Sequence, residues 1–247
     1  MMKRIPRNDV CVIFTLILAV AMTPMVWAEE KAWEDSAELS YVQTSGNTDI
    51  LTLAGKNSLK YRFSDQWTSM WNIGALYGKT DGDKDSERYY TDLRTDYKAT
   101  ERIYYYGLAG WFQDKFSGID SRYYLGPGVG YWFLKGERHY LSAEAGLNYA
   151  REDYTDSSDN DFLEGRLWGK CEYVFNSKTR FSQTAEYLQN FDNADKYRIN
   201  ALTALTTMLT DRFSLKVSYE INYKNEPIPD ILERTDTIFS VALVVNL

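Results

Sequence analysis

The stretch TDTIFSVALVVNL, residues 235–247, closes the chain in unbroken alternation. Thr237, Phe239, Val241, Leu243, Val245 and Leu247 share one face; Ile238, Ser240, Ala242, Val244 and Asn246 share the other. Period-2 alternation marks a strand. It runs to the last residue, although chain ends usually fray unless something ties them down. A strand ending on an apolar residue needs a partner for its edge and an apolar medium for its face. Both are supplied if it pairs with an early strand, AELSYVQT, and faces lipid, because an open edge in hydrocarbon leaves backbone groups unpaired.

The same alternation recurs upstream. Leu51, Leu53, Leu59, Tyr61 and Phe63 oppose Thr52, Lys56, Ser58, Lys60 and Arg62. Phe213, Leu215, Val217, Tyr219, Ile221 and Tyr223 oppose Lys216, Glu220 and Lys224. Reading every segment this way predicts about twelve strands, each near the length that a tilted membrane strand needs. Their expected spans are 36–45, 49–63, 66–79, 87–99, 102–114, 122–134, 139–151, 161–175, 179–191, 196–209, 212–225 and 235–247. The fold class is therefore all-β: a closed, antiparallel, up-and-down transmembrane barrel with an even strand count.

The connections support this orientation. SDQ, TER, KGER, NSK and TD are short and read as periplasmic turns; TDGDKDS, DKFSGIDS, EDYTDSSDN, FDNAD and NEPIPDILER are longer, acidic outer loops. Among the long-side connections, SGNT alone is a tight hairpin. Aromatic residues crowd both ends: Phe63, Trp67, Tyr97, Phe133, Phe175, Phe181 and Phe213 by the short turns, and Tyr77, Tyr89, Tyr149, Tyr187, Tyr197 and Tyr223 by the long loops. Amphipathic rings favour both membrane interfaces.

The front of the chain reads as a secretory leader. Lys3, Arg4 and Arg7 precede the apolar run CVIFTLILAVAM, and Val26 and Ala28 stand where a signal peptidase would read. The expected organisation is a cleaved signal peptide over 1–28, a short periplasmic stub over 29–35 and an outer-membrane barrel over 36–247 in a Gram-negative cell. Net charge is −7 and mean hydropathy −0.46, which alone would suit a soluble acidic protein. A barrel gives the same averages, because lipid-facing and inward residues alternate and cancel. The 15% aromatic content separates the two. One cysteine, Cys171, follows the leader and faces lipid by parity with Leu167 and Tyr173, so no internal disulfide forms. His139 is the sole histidine, so no zinc site of the usual kind assembles. No phosphate loop, basic tract or heptad is present, and neither cofactors nor nucleic-acid partners are expected.

YVQTSGNTD near the start, GPGVGYWF in the middle and NYKNEPIPDILERTDT before the last strand resemble the YdiY-like family of outer-membrane proteins, described as salt-induced and carrying a domain of unknown function. The resemblance covers nearly all of the chain after the leader. It implies an outer-membrane location and a link to salt or osmotic stress, and it carries over no catalytic or binding residues.

The interior offers one constellation. YYLGPGVGYWF puts Gly126, Gly128 and Gly130 inward, with Tyr123, Leu125, Val129 and Tyr131 outward. Pro127 removes a ladder donor, which predicts a local bulge. Gly107, Ala109 and Gly146 are expected to extend this small wall. The opposite wall is expected to be bulky and charged: Arg88, Asp92, Arg94, Asp96, Arg166, Trp168 and Lys170. Either the small wall leaves a water-filled path beside a charged ladder, or the glycines accept large side chains and the barrel is filled; strand number does not decide. The interleaved signs favour weak selectivity or a structural network over a single-sign ring. Asp81, Asp83 and Asp85 begin like a calcium loop, but Ser86 and Asp92 stand where Gly and Glu are needed, so a solvated acidic loop is the better reading.

These residues imply a narrow, weakly selective, porin-like channel for small solutes or ions. The alternative is a filled barrel with a structural or stress-response envelope role and no transport. Enzymatic activity is not expected, since His139 and Ser142 fall on opposite strand faces. Expected partners are outer-membrane lipids, lipopolysaccharide and the assembly machinery that reads the last strand, whose terminal Leu247 departs from the usual Phe. Oligomeric state stays open.

Overall fold

A computed structural model describes residues 32–44, 50–227 and 233–247. The leader, residues 29–31 of the stub, the SGNT hairpin and residues 228–232 of the last long loop lie outside the described residues. Twelve strands form one closed antiparallel barrel in up-and-down order. They are β1 (Trp33–Thr44), β2 (Ile50–Arg62), β3 (Trp67–Thr80), β4 (Asp83–Lys98), β5 (Ile103–Asp114), β6 (Ile119–Lys135), β7 (His139–Tyr154), β8 (Asp159–Val174), β9 (Thr179–Asn190), β10 (Tyr197–Met208), β11 (Phe213–Lys224) and β12 (Thr235–Asn246). A short 3₁₀ turn, Lys115–Ser117, sits between β5 and β6.

Alternation decides which residues face out. Leu125, Leu147, Leu163, Leu167, Leu93 and Phe239 are all more than half exposed, as a barrel inverted relative to a soluble protein requires. The polar residues between them point inward and are buried, among them Arg122, Glu144, Glu152, Glu164 and Arg166. Outward rings stack along both rims. Trp67 and Tyr97 lie 4.8 Å apart and Tyr61 and Phe63 4.7 Å apart at the short-turn end. Tyr187, Tyr197 and Tyr223 form a row at the long-loop end, with centroid spacings of 5.8 and 5.9 Å. Cys171 is exposed on the outer face opposite Leu141.

Three local expectations need correction. TDGDKDS is not a long loop: β3 and β4 run on to a two-residue turn at Asp81 and Gly82, whose φ values of 53° and 92° match the mirror-image turn that suits strand twist. Asp83 and Asp85 are strand residues, so no calcium-loop geometry arises. Pro127 causes no bulge: its register with Gly107 holds, and the β6–β7 ladder omits Gly126 and Pro127 without slipping. The register shifts fall instead near the ends of β6, at Ile119–Ser121 and Trp132–Leu134.

Candidate functional site: the barrel interior

Two residues expected in the small wall, Gly107 and Ala109, face outward, and the walls are arranged differently from expectation. β4 and β8 flank the glycine strand β6, each two strands away, rather than facing it across the barrel. Gly107 and Ala109 pair with Pro127 and Leu125 on the outward face. At the short-turn end the inward residues of β5 are Tyr104 and Tyr106, 3% and 4% exposed.

Those tyrosines explain the glycines. Tyr106 is paired with Gly128 and Tyr104 with Gly130, and each ring lies where a glycine Cβ would be. Tyr124 covers Gly110 and Tyr90 covers Gly74 in the same way. Gly146 also borders the Tyr106 hydroxyl. The filling thus comes from the neighbouring strand, which lets bulky rings lie flat along the wall.

A buried charge network is built over these rings. Glu144 on β7 accepts from Arg94 Nη1 and Nη2 at 3.0 and 2.8 Å, from Arg166 Nη1 at 2.8 Å and from the Tyr104 hydroxyl at 2.7 Å. Arg94 also donates to Asp96 at 2.7 Å, and Arg166 to Glu186 at 2.7 Å. The guanidiniums of Arg94 and Arg166 both lie over the Tyr106 ring, 4.4 and 5.5 Å from its centroid. Asp92 accepts from Asn72, Lys170 pairs with Glu172, and Trp168 lies beside Arg166. Nearer the long loops, Arg122 bridges Glu152 and Glu164, and Arg198 reaches Glu152 from β10 at 2.5 and 2.6 Å. Such burial is tolerable because Glu144, Glu152 and Glu164 each meet a guanidinium and accept further hydrogen bonds.

The other half of the barrel mixes small inward residues, Ser40, Ser218, Ser240 and Ala242, with charges at Glu38, Lys56, Arg198 and Glu220. Between the two halves lies a cavity of about 280 Å³. Its lining runs from Asp114, Lys224 and Asp236 at the long-loop end to Glu38, Ser218 and Ala242 near mid-barrel. Two contacts cross the space. Arg88 on β4 donates to Glu220 on β11 at 3.0 Å and to Asp114 at 2.8 Å. Lys224 Nζ donates to the backbone oxygen and hydroxyl of Ser117, at 2.8 and 3.1 Å. No group of three or more acidic, histidine or cysteine residues suited to a metal occurs among the described residues. Sequence reasoning missed Tyr104, Tyr106 and Glu144; it put Glu220 on the polar face of its strand without including it in the interior constellation.

Solved structures share this architecture. The translocator domain of the autotransporter NalP from Neisseria meningitidis superposes with a TM-score of 0.56 at 13% identity, covering 96% of this chain and 94% of that one. An outer-membrane channel from Pseudomonas putida F1 gives a TM-score of 0.54 at 10% identity, covering 90% and 100%. At these identities the likeness is one of fold, that of outer-membrane barrels. By sequence, the uncharacterized protein YdiY of Escherichia coli K12 is 26% identical over 215 residues, 87% of this chain and 83% of the relative. The family described as "Protein of unknown function, DUF481" matches residues 37–247, and the chain belongs to that family.

Proposed function

We propose that the chain is exported by its leader to the outer membrane and forms a narrow, weakly selective channel for small polar solutes or ions. The observation that carries this reading is the cavity of about 280 Å³ between a braced, charged wall and a wall where small residues and charges alternate with open space. Its lining charges are of both signs, including Lys56, Arg88 and Arg198 against Glu38, Glu186 and Glu220. A pore lined this way discriminates poorly between ions, whereas a single-sign ring would select. The fold likeness to an outer-membrane channel is consistent with it. No hydrolytic role is part of this reading, and a role in salt or osmotic stress is part of it only through the family resemblance.

The cross-lumen bridge from Arg88 to Glu220 favours a second reading, a braced barrel that conducts nothing and serves the envelope structurally. Planar-bilayer recording of the refolded mature chain separates the two. Small, reproducible steps with little cation or anion preference are expected; a folded barrel that gives none overturns the channel.

A further inference from the structure

The cavity is bordered by hydroxyls that the protein itself leaves unused. Tyr90 on β4 and Tyr124 on β6 line it on the braced side, their rings seated on Gly74 and Gly110. Ser218 on β11 and Ser240 on β12, directly paired with each other, line it on the facing side. None of these four hydroxyls meets a hydrogen-bond partner among the described residues, and none is sealed into the wall as the Ser142 hydroxyl is. Asn148, 2% exposed, also lines the cavity, and its Oδ1 accepts no hydrogen bond. Tyr90 and Ser218 each stand two residues from the Arg88–Glu220 bridge, on its short-turn side, so the hydroxyls lie just beneath that bridge.

The charges at this level are already matched. Arg122 holds Glu164, Arg166 holds Glu186 and Arg88 holds Glu220, at 2.7, 2.7 and 3.0 Å. Glu38 is held by Lys216 at 2.7 Å, and Lys56 leans on Glu220 at 3.9 Å. Among the described residues, the lining charges without an ion pair are Lys224 and Asp236, which are of opposite sign and stand at the long-loop end. An ion lodging at mid-barrel would have to break a buried pair, which is costly. The capacity left over is neutral: a hydroxyl both donates and accepts, and one without a partner forfeits a hydrogen bond. Between the hydroxyls, Leu76, Phe112 and Leu188 supply apolar lining. Ligand sites combine apolar walls with a few convergent polar groups in this way. A solute that carries hydroxyls on a hydrocarbon frame matches both. The cavity of about 280 Å³ has the room of about nine waters at roughly 30 Å³ each, the scale of a monosaccharide.

We infer that the mid-barrel cavity binds a neutral polyhydroxylated solute of monosaccharide size, which exchanges hydrogen bonds with Tyr90, Tyr124, Ser218 and Ser240. The inference rests on the channel reading, whose solute class it names, and binding is measured apart from conduction.

The test is saturation-transfer difference NMR on the refolded mature chain in micelles of a sugar-free amine-oxide detergent. The probes are glucose, glucuronate and glucosamine, which present one ring with no charge, a negative charge and a positive charge. Glucose should show saturable transfer and bind at least as tightly as either charged probe. Tyr90→Phe combined with Tyr124→Phe keeps both rings and removes both hydroxyls. Losing two hydrogen bonds should weaken glucose binding about tenfold. Ser218→Ala combined with Ser240→Ala should weaken it several-fold, and Tyr149→Phe, on the outer face, should leave it unchanged. Each variant is first shown to be folded by its altered mobility in unheated gel electrophoresis. A folded parent without saturable transfer, tighter binding of either charged probe, or parental glucose binding in the double phenylalanine variant overturns the inference. Planar-bilayer recording runs in parallel. A silent barrel that binds glucose rejects the channel and keeps the site; a conducting barrel that does not bind glucose keeps the channel and rejects the site.

Discussion

Tyr106 lies on Gly128: the ring occupies the space where any side chain at position 128 would begin, and its hydroxyl accepts from Arg166 at 2.9 Å. This pairing turns a glycine-rich strand from an apparent opening into a socket. Gly128→Val should expel the ring, so we expect a loss of about 1–3 kcal/mol from overpacking, read as a lower urea midpoint for the barrel in lipid. Tyr106→Phe keeps the ring and loses only the hydroxyl, and should cost less. If Gly128→Val is as stable as the parent, Tyr106 does not fill the socket.

Glu144 is the hub of the wall, with two guanidiniums and one hydroxyl directed at a side chain only 1% exposed. Glu144→Gln leaves Arg94 and Arg166 buried with less countercharge. Breaking a buried pair from one side costs about 3–5 kcal/mol, and the same unfolding assay should find it. Adding Arg94→Met to Glu144→Gln should restore part of the loss, because it removes one stranded charge. A loss that simply doubles in the double variant would mean the two residues are not energetically coupled.

Much of the fold was legible because a barrel wall writes its inside and outside into alternate positions. The strand spans, the inward parity of Gly126, Gly128 and Gly130, and the inward charges of β4 and β8 all follow from that contrast. Legibility failed where the contrast vanished. IYYYGLAG carries three tyrosines in succession, so nothing in it says that Tyr104 and Tyr106 face in while Gly107 and Ala109 face out. TDGDKDS is polar at every position, so alternation cannot show that β3 and β4 continue to a two-residue turn. Which wall faces which was beyond parity as well: it depends on how many strands separate two residues around the ring, and Glu144 meets Arg94 across two intervening strands.

Cys171 offers a direct check of register. It is exposed on the outer face, where Leu141 is its pair. In intact membranes a membrane-impermeant maleimide should leave it largely unmodified, and denaturation should make it fully reactive. A one-residue slip of β8 would turn it inward with every other side chain of the strand. Rapid labelling of the native barrel would therefore place Cys171 in water and the register in error.

Arg88 is the side chain that spans the cavity, holding Asp114 with Nε and Glu220 with Nη1. If ions pass this level, the guanidinium both narrows the path and balances two carboxylates. Arg88→Gln retains most of the bulk but frees Asp114 and Glu220, and Asp236 adds a third acid to the same lining. The expected result is a larger unit conductance and a reversal potential shifted towards cation preference. The shift should be greatest in dilute salt, where the screening length grows from about 10 Å at 0.1 M to about 30 Å at 0.01 M. Arg88→Lys, which keeps the charge but cannot hold both acids in one planar fork, should raise conductance while leaving selectivity near that of the parent. A folded Arg88→Gln barrel with unchanged conductance and unchanged reversal potential would show that current does not flow past the Arg88–Glu220 bridge.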